Sequence, residues 1–193
     1  VRYSPAGVLA PIQRSDLAFT MHMLYHLSET GTCAIVEFPG VLYRGGAEKK
    51  IREYLIKNNF VDTVIQLPAN LFFGVGIATC IIVIKKNKKD NNILFVDASE
   101  EYEKKGDKNK LEDKNQNRIV NAYQERKEEQ YFTKLVSNDE VLANGANLSV
   151  SSYVEKEDKR EVIDIVKLNE EIQTLQAEIF TLNTEIANKI ASL

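Results

Sequence analysis

The 193-residue sequence predicts an α/β fold, part of a strand layer with helices packed on it, followed by one long C-terminal helix. Two observations carry the prediction. Over residues 15–97, short apolar runs of strand length alternate with stretches whose apolar residues recur every three or four positions. From Ile165 onward a heptad repeat runs to the end of the chain. With 44% apolar and 27% charged residues, the chain can build one core of ordinary size plus an appendage.

Residues 15–28 read as the first helix, with Phe19, Met23 and Leu27 at spacings of four, Ser15 placed to cap its start and Gly31 to end it. Cys33-Ala34-Ile35-Val36 is a continuous apolar run of the kind buried on both faces of a parallel sheet, and Pro39-Gly40 stops it. Between Ala47 and Asn58, Ile51, Leu55 and Ile56 return to helical spacing. Glu48, Lys49, Lys50, Arg52 and Glu53 fill the other faces, so this is a surface helix packed on the sheet. Val61–Leu67 and Ile77–Ile84 form a loop-linked strand pair open to an antiparallel arrangement, and Ile93-Leu94-Phe95-Val96 is a further strand. Such a sheet is entered in its middle and needs neighbouring strands, which are expected upstream of Val1. The absence of an initial Met points the same way.

Beyond Ser99 the pattern changes. Between Glu100 and Arg118, 12 of 19 residues are charged with both signs interleaved, the composition of a solvated, mobile surface loop. Residues 115–128 allow a charged helix through Ile119, Val120 and Tyr123, and Glu140–Tyr153 reads as irregular or short-strand structure.

In the last segment Ile165, Leu168, Ile172, Leu175, Ile179, Leu182 and Ile186 fall in alternating steps of three and four, and Leu193 resumes the seam after Lys189. A helix from Val162 to Leu193 would be roughly 48 Å long. Each buried seam side chain is worth about 1.5–3 kcal/mol, so something must cover the stripe: a partner helix, or the chain's own domain. Glu171, Glu178 and Glu185 flank one side of the seam and Asn169, Gln176 and Asn183 the other. A parallel homodimer gains no Glu–Lys pairs from that arrangement, which favours a different partner with basic edges.

A net charge of −3 excludes a strongly basic nucleic-acid binder, so any DNA contact is local or shared with a partner. Two cysteines, Cys33 and Cys80, each inside an apolar run, make neither a disulfide framework nor a metal site; they read as reduced core residues in a cytoplasmic protein. No run of eighteen apolar residues and no signal-peptide core is present, so no membrane role is expected. His22 and His26 lie one helical turn apart but lack a third ligand, and no metal is expected.

The loop Leu67-Pro68-Ala69-Asn70-Leu71-Phe72-Phe73-Gly74-Val75-Gly76 holds adjacent phenylalanines in a Pro- and Gly-punctuated turn between strands. Both cannot easily enter one core, and two readings stand: core packing, or a face for stacking on a base. Gly45-Gly46 beside Arg44, ahead of a helix, is a plain turn or a phosphate cradle. Lys85, Lys86, Lys88 and Lys89 are a solvated turn or a contact for DNA phosphates.

The ordered run Pro39–Glu48, Ile51-Arg52, Asp62–Ile65, Leu67–Phe72 and Gly76–Val83 resembles the second half of the catalytic domain of the modification (M) subunit of type I restriction-modification systems, and Tyr3–Phe19 resembles the stretch after that family's catalytic motif. The resemblance implies a Rossmann-like methyltransferase sheet, present in part. It implies transfer of a methyl group from S-adenosylmethionine to N6 of an adenine flipped out of double-stranded DNA. Partner subunits would be one for specificity and one for restriction. The family's Asn-Pro-Pro-aromatic motif and its Gly-rich cofactor loop are absent from this sequence, so no catalytic residue is expected here and this stretch by itself should be inactive. An aromatic residue in the loop before the last strand pair packs on the flipped adenine in related enzymes; Phe73 is favoured for that place by its distance to Ala78-Thr79-Cys80, with Phe72 the alternative. The resulting division is residues 1–99 as the methyltransferase half-domain, 100–160 as a charged connector and 161–193 as the assembly helix. The rival reading is a non-enzymatic module that joins partners through that helix.

Overall fold

A computed structural model describes residues 2–157 and 165–191. The chain forms two compact units, Val1–Lys156 and Glu157–Leu193. The first is an α/β unit in which helix α1 (Asp16–His26) leads into strand β1 (Thr32–Glu37), a 3-10 turn (Pro39–Leu42) and helix α2 (Ala47–Lys57). Strands β2 (Val61–Gln66), β3 (Cys80–Lys85) and β4 (Asn92–Asp97) follow, then a small hairpin, β5 (Glu103–Lys105) and β6 (Lys108–Lys110). Helix α3 (Asp113–Glu125), strand β7 (Thr133–Ser137), helix α4 (Asn138–Ala143) and a 3-10 turn (Val150–Ser152) complete the unit.

The five-stranded sheet has the order β1-β3-β2-β4-β7 and is mixed. β3 runs antiparallel to both β1 and β2, β2 is parallel to β4, and β7 is antiparallel to β4. The carboxyl ends of β1, β2 and β4 therefore share one edge of the layer with the starts of β3 and β7. The turns around Leu27, Phe60 and Lys86 share the opposite edge.

The sheet carries cores on both faces. On one, Leu17, Met21 and Leu24 of α1 and Ile51, Leu55 and Ile56 of α2 meet Val64, Ile82, Ile84 and Phe95, and the C-terminal residues Leu148 and Tyr153 close over them. The Tyr153 ring stacks on Phe95 at 4.3 Å, and its hydroxyl donates to the Asn147 carbonyl at 2.6 Å. On the other face, Ile119 of α3 and Phe132 cover Ile65, Leu94 and Val96.

Four sequence expectations change. The buried stripe of α1 is Leu17, Thr20, Met21 and Leu24, whereas Phe19 is 63% exposed and Met23 40% exposed. The helix has apolar residues on more than one face, and the i, i+3, i+4 set matches a 3.6-residue period better than steps of four. β1 is not a doubly buried parallel strand: its burial alternates, its only partner among the described residues is the antiparallel β3, and Val36 stays 49% exposed. The charged stretch 100–118 is not a loose loop. It folds into the β5–β6 hairpin and the start of α3, whose Glu112 and Asn115 exchange side-chain bonds with each other's backbone amides. Finally, Glu140–Tyr153 contains α4 and a 3-10 turn in place of short strands.

The second unit contains helix α5 (Ile165–Ala191), 27 residues and about 40 Å long. Val162 and Leu193, which the heptad reading included, lie outside the described residues. No residue of α5 is buried, and its seam from Ile165 to Ile186 remains 44–69% exposed. Among the described residues no helix is long and apolar enough to cross a membrane.

Candidate functional site

At the shared edge where β1 and β2 end, a cavity of about 410 Å³ opens between the start of α1, the end of β1 and the loop joining β2 to β3. Its walls are largely apolar, formed by Phe19, Val36, Phe38, Phe72 and Val75, with Asp16, Glu37 and Thr79 as the polar members. Loop geometry decides which phenylalanine takes part. Asn70 (φ 54°) and Gly74 (φ 73°) both adopt left-handed conformations, and between them the chain turns Phe72 to the cavity wall while Phe73 points to solvent at 98% exposure. Sequence spacing favours Phe73 over Phe72; in the structure Phe72 is the one of the two that lines this cavity. Neither ring enters the core.

The polar members were not found from sequence. Glu37 closes the apolar β1 run and is 6% exposed, with its Oε1 accepting a 2.8 Å hydrogen bond from the Thr20 hydroxyl. Burial pushes the Glu37 carboxyl above its usual range; the Thr20 bond opposes this in part and the nearby Asp16 charge adds to it. Thr79 is 5% exposed and its buried hydroxyl has no hydrogen-bond partner among the described residues, so an unsatisfied polar group lies within the cavity wall. The available signal was a lone carboxylate ending an apolar strand. Cys80, next to Thr79, is buried, and that burial pushes its thiol up to about 12, which makes it a packing residue; Cys33 is also a free thiol.

The phosphate candidates lie elsewhere and are mostly engaged. Arg44 lies over Gly40 and pairs with Glu48 at 3.5 Å. Glu48, in the first turn of α2 and 2% exposed, supplies the negative charge that end of the helix favours. The Gly45-Gly46 turn is set by Gly46 (φ 68°) and locked from behind by Arg52. That side chain is 1% exposed and donates to the carbonyls of Ala146 (2.8 Å), Val41 (2.9 Å) and Arg44 (2.7 Å). The Lys85–Lys89 cluster sits at the opposite edge of the sheet, about 20 Å of strand from Thr79. Lys85 pairs with Asp62 at 3.2 Å and covers Tyr123, Lys86 binds the Leu27 carbonyl and Glu29, and Lys88 binds the Val61 carbonyl. Three of the four ammonium groups are thus turned to the protein, and Lys89 alone stays exposed. On α1, His22 and His26 pack edge to face with Tyr3 and Tyr25 beside them; no group of three or more metal-ligating side chains occurs among the described residues.

A five-stranded mixed sheet with an aromatic cavity at its carboxyl edge and a separate long helix defines an α/β subunit module. Comparison with known proteins then places it. The model of the N-6 DNA methylase family matches residues 1–162, and the chain belongs to that family. The chain is 44% identical, over its whole length, to the type I restriction enzyme MpnII methylase subunit of Mycoplasma pneumoniae, of which it covers 36%. Over 88% of the chain it is 34% identical to the MjaVII methylase subunit of Methanocaldococcus jannaschii, covering 30% of that protein. Among solved structures, the type I methyltransferase subunit from Streptococcus thermophilus superposes with a TM-score of 0.78 at 42% identity, over 80% of this chain and 33% of the other. The chain therefore spans about a third of the length of these relatives.

Proposed function

We propose that this chain is part of a type I restriction-modification methylase subunit, and that its cavity forms one wall of the pocket that receives a flipped adenine. The observation that carries the reading is Phe72 on the wall of an aromatic cavity at the carboxyl edge of the sheet, in a chain 44% identical to a type I methylase subunit. The cavity is large enough to admit a planar base, and Phe72 offers a stacking face.

On this reading the sheet is the later part of a Rossmann-like methyltransferase sheet, and the edge of β1 away from β3 is where the remaining strands join. The methyl donor in the complete subunit is S-adenosylmethionine, which supplies an electrophilic methyl group for the adenine N6. The residues described here do not fit as its holder. The single glycine pair ahead of a helix is backed by Arg52, and the nearby carboxylate, Glu48, is buried against Arg44, so at that turn Glu48 is not free to bind a ribose. The exposed seam of α5 is the handle for the specificity subunit, with the restriction subunit and double-stranded DNA completing a cytoplasmic assembly.

The test is methyl transfer from labelled S-adenosylmethionine to a duplex bearing the target site, using the complete subunit assembled with its specificity partner. Transfer to adenine N6 is expected, and neither transfer nor cofactor binding is expected for residues 1–193 alone. Absence of adenine methylation by the complete assembly would overturn the reading.

A further inference from the structure

The β5–β6 hairpin, which the charge pattern hides in the sequence, is fastened to the Phe72 loop. The Asn109 backbone amide donates to the Asn70 carbonyl at 3.1 Å, its side-chain amide donates to the Ala69 carbonyl at 2.8 Å, and the Lys108 ammonium reaches the Phe72 carbonyl at 3.5 Å. The hairpin follows directly from the carboxyl end of β4, so it lies on the same edge of the sheet as the cavity.

Its charges are sorted. Of the acidic residues around it, Glu103 is taken by Lys114, Glu112 by Lys105 at 2.8 Å and Glu101 by Arg118 at 2.7 Å. Lys104, Lys108 and Lys110 make no ion pair among the described residues; Lys110 stands opposite Glu103 in the hairpin register, but that carboxylate is held by Lys114. Tyr102, which directly precedes β5, is 38% exposed. Cations beside an exposed aromatic, next to a cavity that admits a base, are the chemistry of a nucleic-acid surface.

We propose that the β5–β6 hairpin is a DNA-backbone clamp: Lys104, Lys108 and Lys110 bind phosphates flanking the nucleotide whose base enters the cavity. The bonds through Asn109 hold the clamp and the base-stacking loop in fixed register, so gripping the backbone and presenting Phe72 are one event. This rests on the adenine-pocket reading above, and it replaces Lys85–Lys89 as the basic contact.

The experiment is binding of a fluorescent 30-base-pair duplex by the complete subunit with its specificity partner, measured from 50 to 200 mM salt. Lys104→Gln/Lys108→Gln/Lys110→Gln should flatten the log–log salt slope by about 2.7, since each phosphate contact contributes about 0.9. The parent then loses about 40-fold more affinity than the variant across that range. Lys104→Gln/Lys110→Gln, which spares the Lys108 bond to the loop, should flatten it by about 1.8, and Lys89→Gln at the far edge should leave it unchanged. An unchanged slope in the triple variant overturns the clamp while leaving the pocket standing. Weakened subunit assembly with an unchanged slope also overturns it, by identifying the hairpin's partner as an acidic protein surface. A parent assembly that binds no duplex overturns both readings.

Discussion

Phe72 and Phe73 are adjacent in sequence and differ in surroundings, so alanine at each separates a base-stacking role from general loop chemistry. Phe72 is 39% exposed, and its truncation removes only part of a buried ring, costing about 1 kcal/mol of stability at most. Its loss from a stack with a flipped base costs about 1–3 kcal/mol, or about 5- to 150-fold in occupancy of the flipped state. Phe73 projects into solvent and touches no cavity wall, so Phe73→Ala should leave base capture within about threefold of the parent. The assay is 2-aminopurine fluorescence at the target position, which reports unstacking directly, beside single-turnover methylation by the assembled subunit. Phe72→Ala should depress both signals in parallel, with the melting temperature lowered by no more than about 4 °C. If Phe73→Ala produced the larger defect in fluorescence and rate, the cavity would not be the base site, and the argument from the Asn70 turn would fail.

Further outcomes follow from the same geometry. Arg52→Met should destabilise the first unit by about 3–5 kcal/mol in urea titrations, because three charge-assisted bonds go and buried carbonyls lose their donor; a loss under 1 kcal/mol would mean that those carbonyls find other partners. Burial holds the Lys88 ammonium down at about 8 against an ordinary 10.5, with the Asp90 and Asp62 charges opposing that shift. Between those two pH values the unfolded chain keeps a proton on Lys88 that the folded chain has released, so this group favours folding increasingly as pH rises through the window. Stability of the parent relative to Lys88→Met should therefore climb from pH 8 to 10.5, and a flat difference would refute the burial argument. Ile179→Asp, on a seam position 57% exposed within its unit, should abolish the complex with the specificity subunit in light-scattering mass measurements while leaving the melting temperature of the first unit intact. A complex that survives the substitution would show that the seam is not the contact.

Periodicity alone located α1, α2, the strand pair β2–β3 and β4 to within a few residues, and it found the buried face where the apolar residues of a run serve one purpose. It failed where a segment serves two. α1 buries Leu17, Thr20, Met21 and Leu24 in the core and gives Phe19 to the cavity, so its apolar residues draw two stripes and the wrong one was chosen. The hairpin at 103–110 was invisible because its pairing is satisfied by backbone bonds and by Asn109 against a loop 40 residues away, with no apolar pattern to betray it. Lys85–Lys88 looked free because sequence does not show Asp62, which β2 carries to the same edge of the sheet. The phenylalanine pair marks a loop that lines the cavity, but only the left-handed turns decide which ring faces inward, and Glu37, Thr20 and Thr79 become neighbours only once the sheet has formed.

The triple bond of Arg52 bears on how the chain is made. One of its three acceptors, the carbonyl of Ala146, lies 94 residues further along, and the other two belong to the turn that Arg52 itself closes. On a ribosome the turn at 41–46 must wait, with a cation searching for its last acceptor, until residue 146 has emerged and docked. Nascent chains stopped before that point should keep this turn open to proteases, and those stopped after it should close it. The segment that ends the first unit is thus the latch for the turn that follows its first strand.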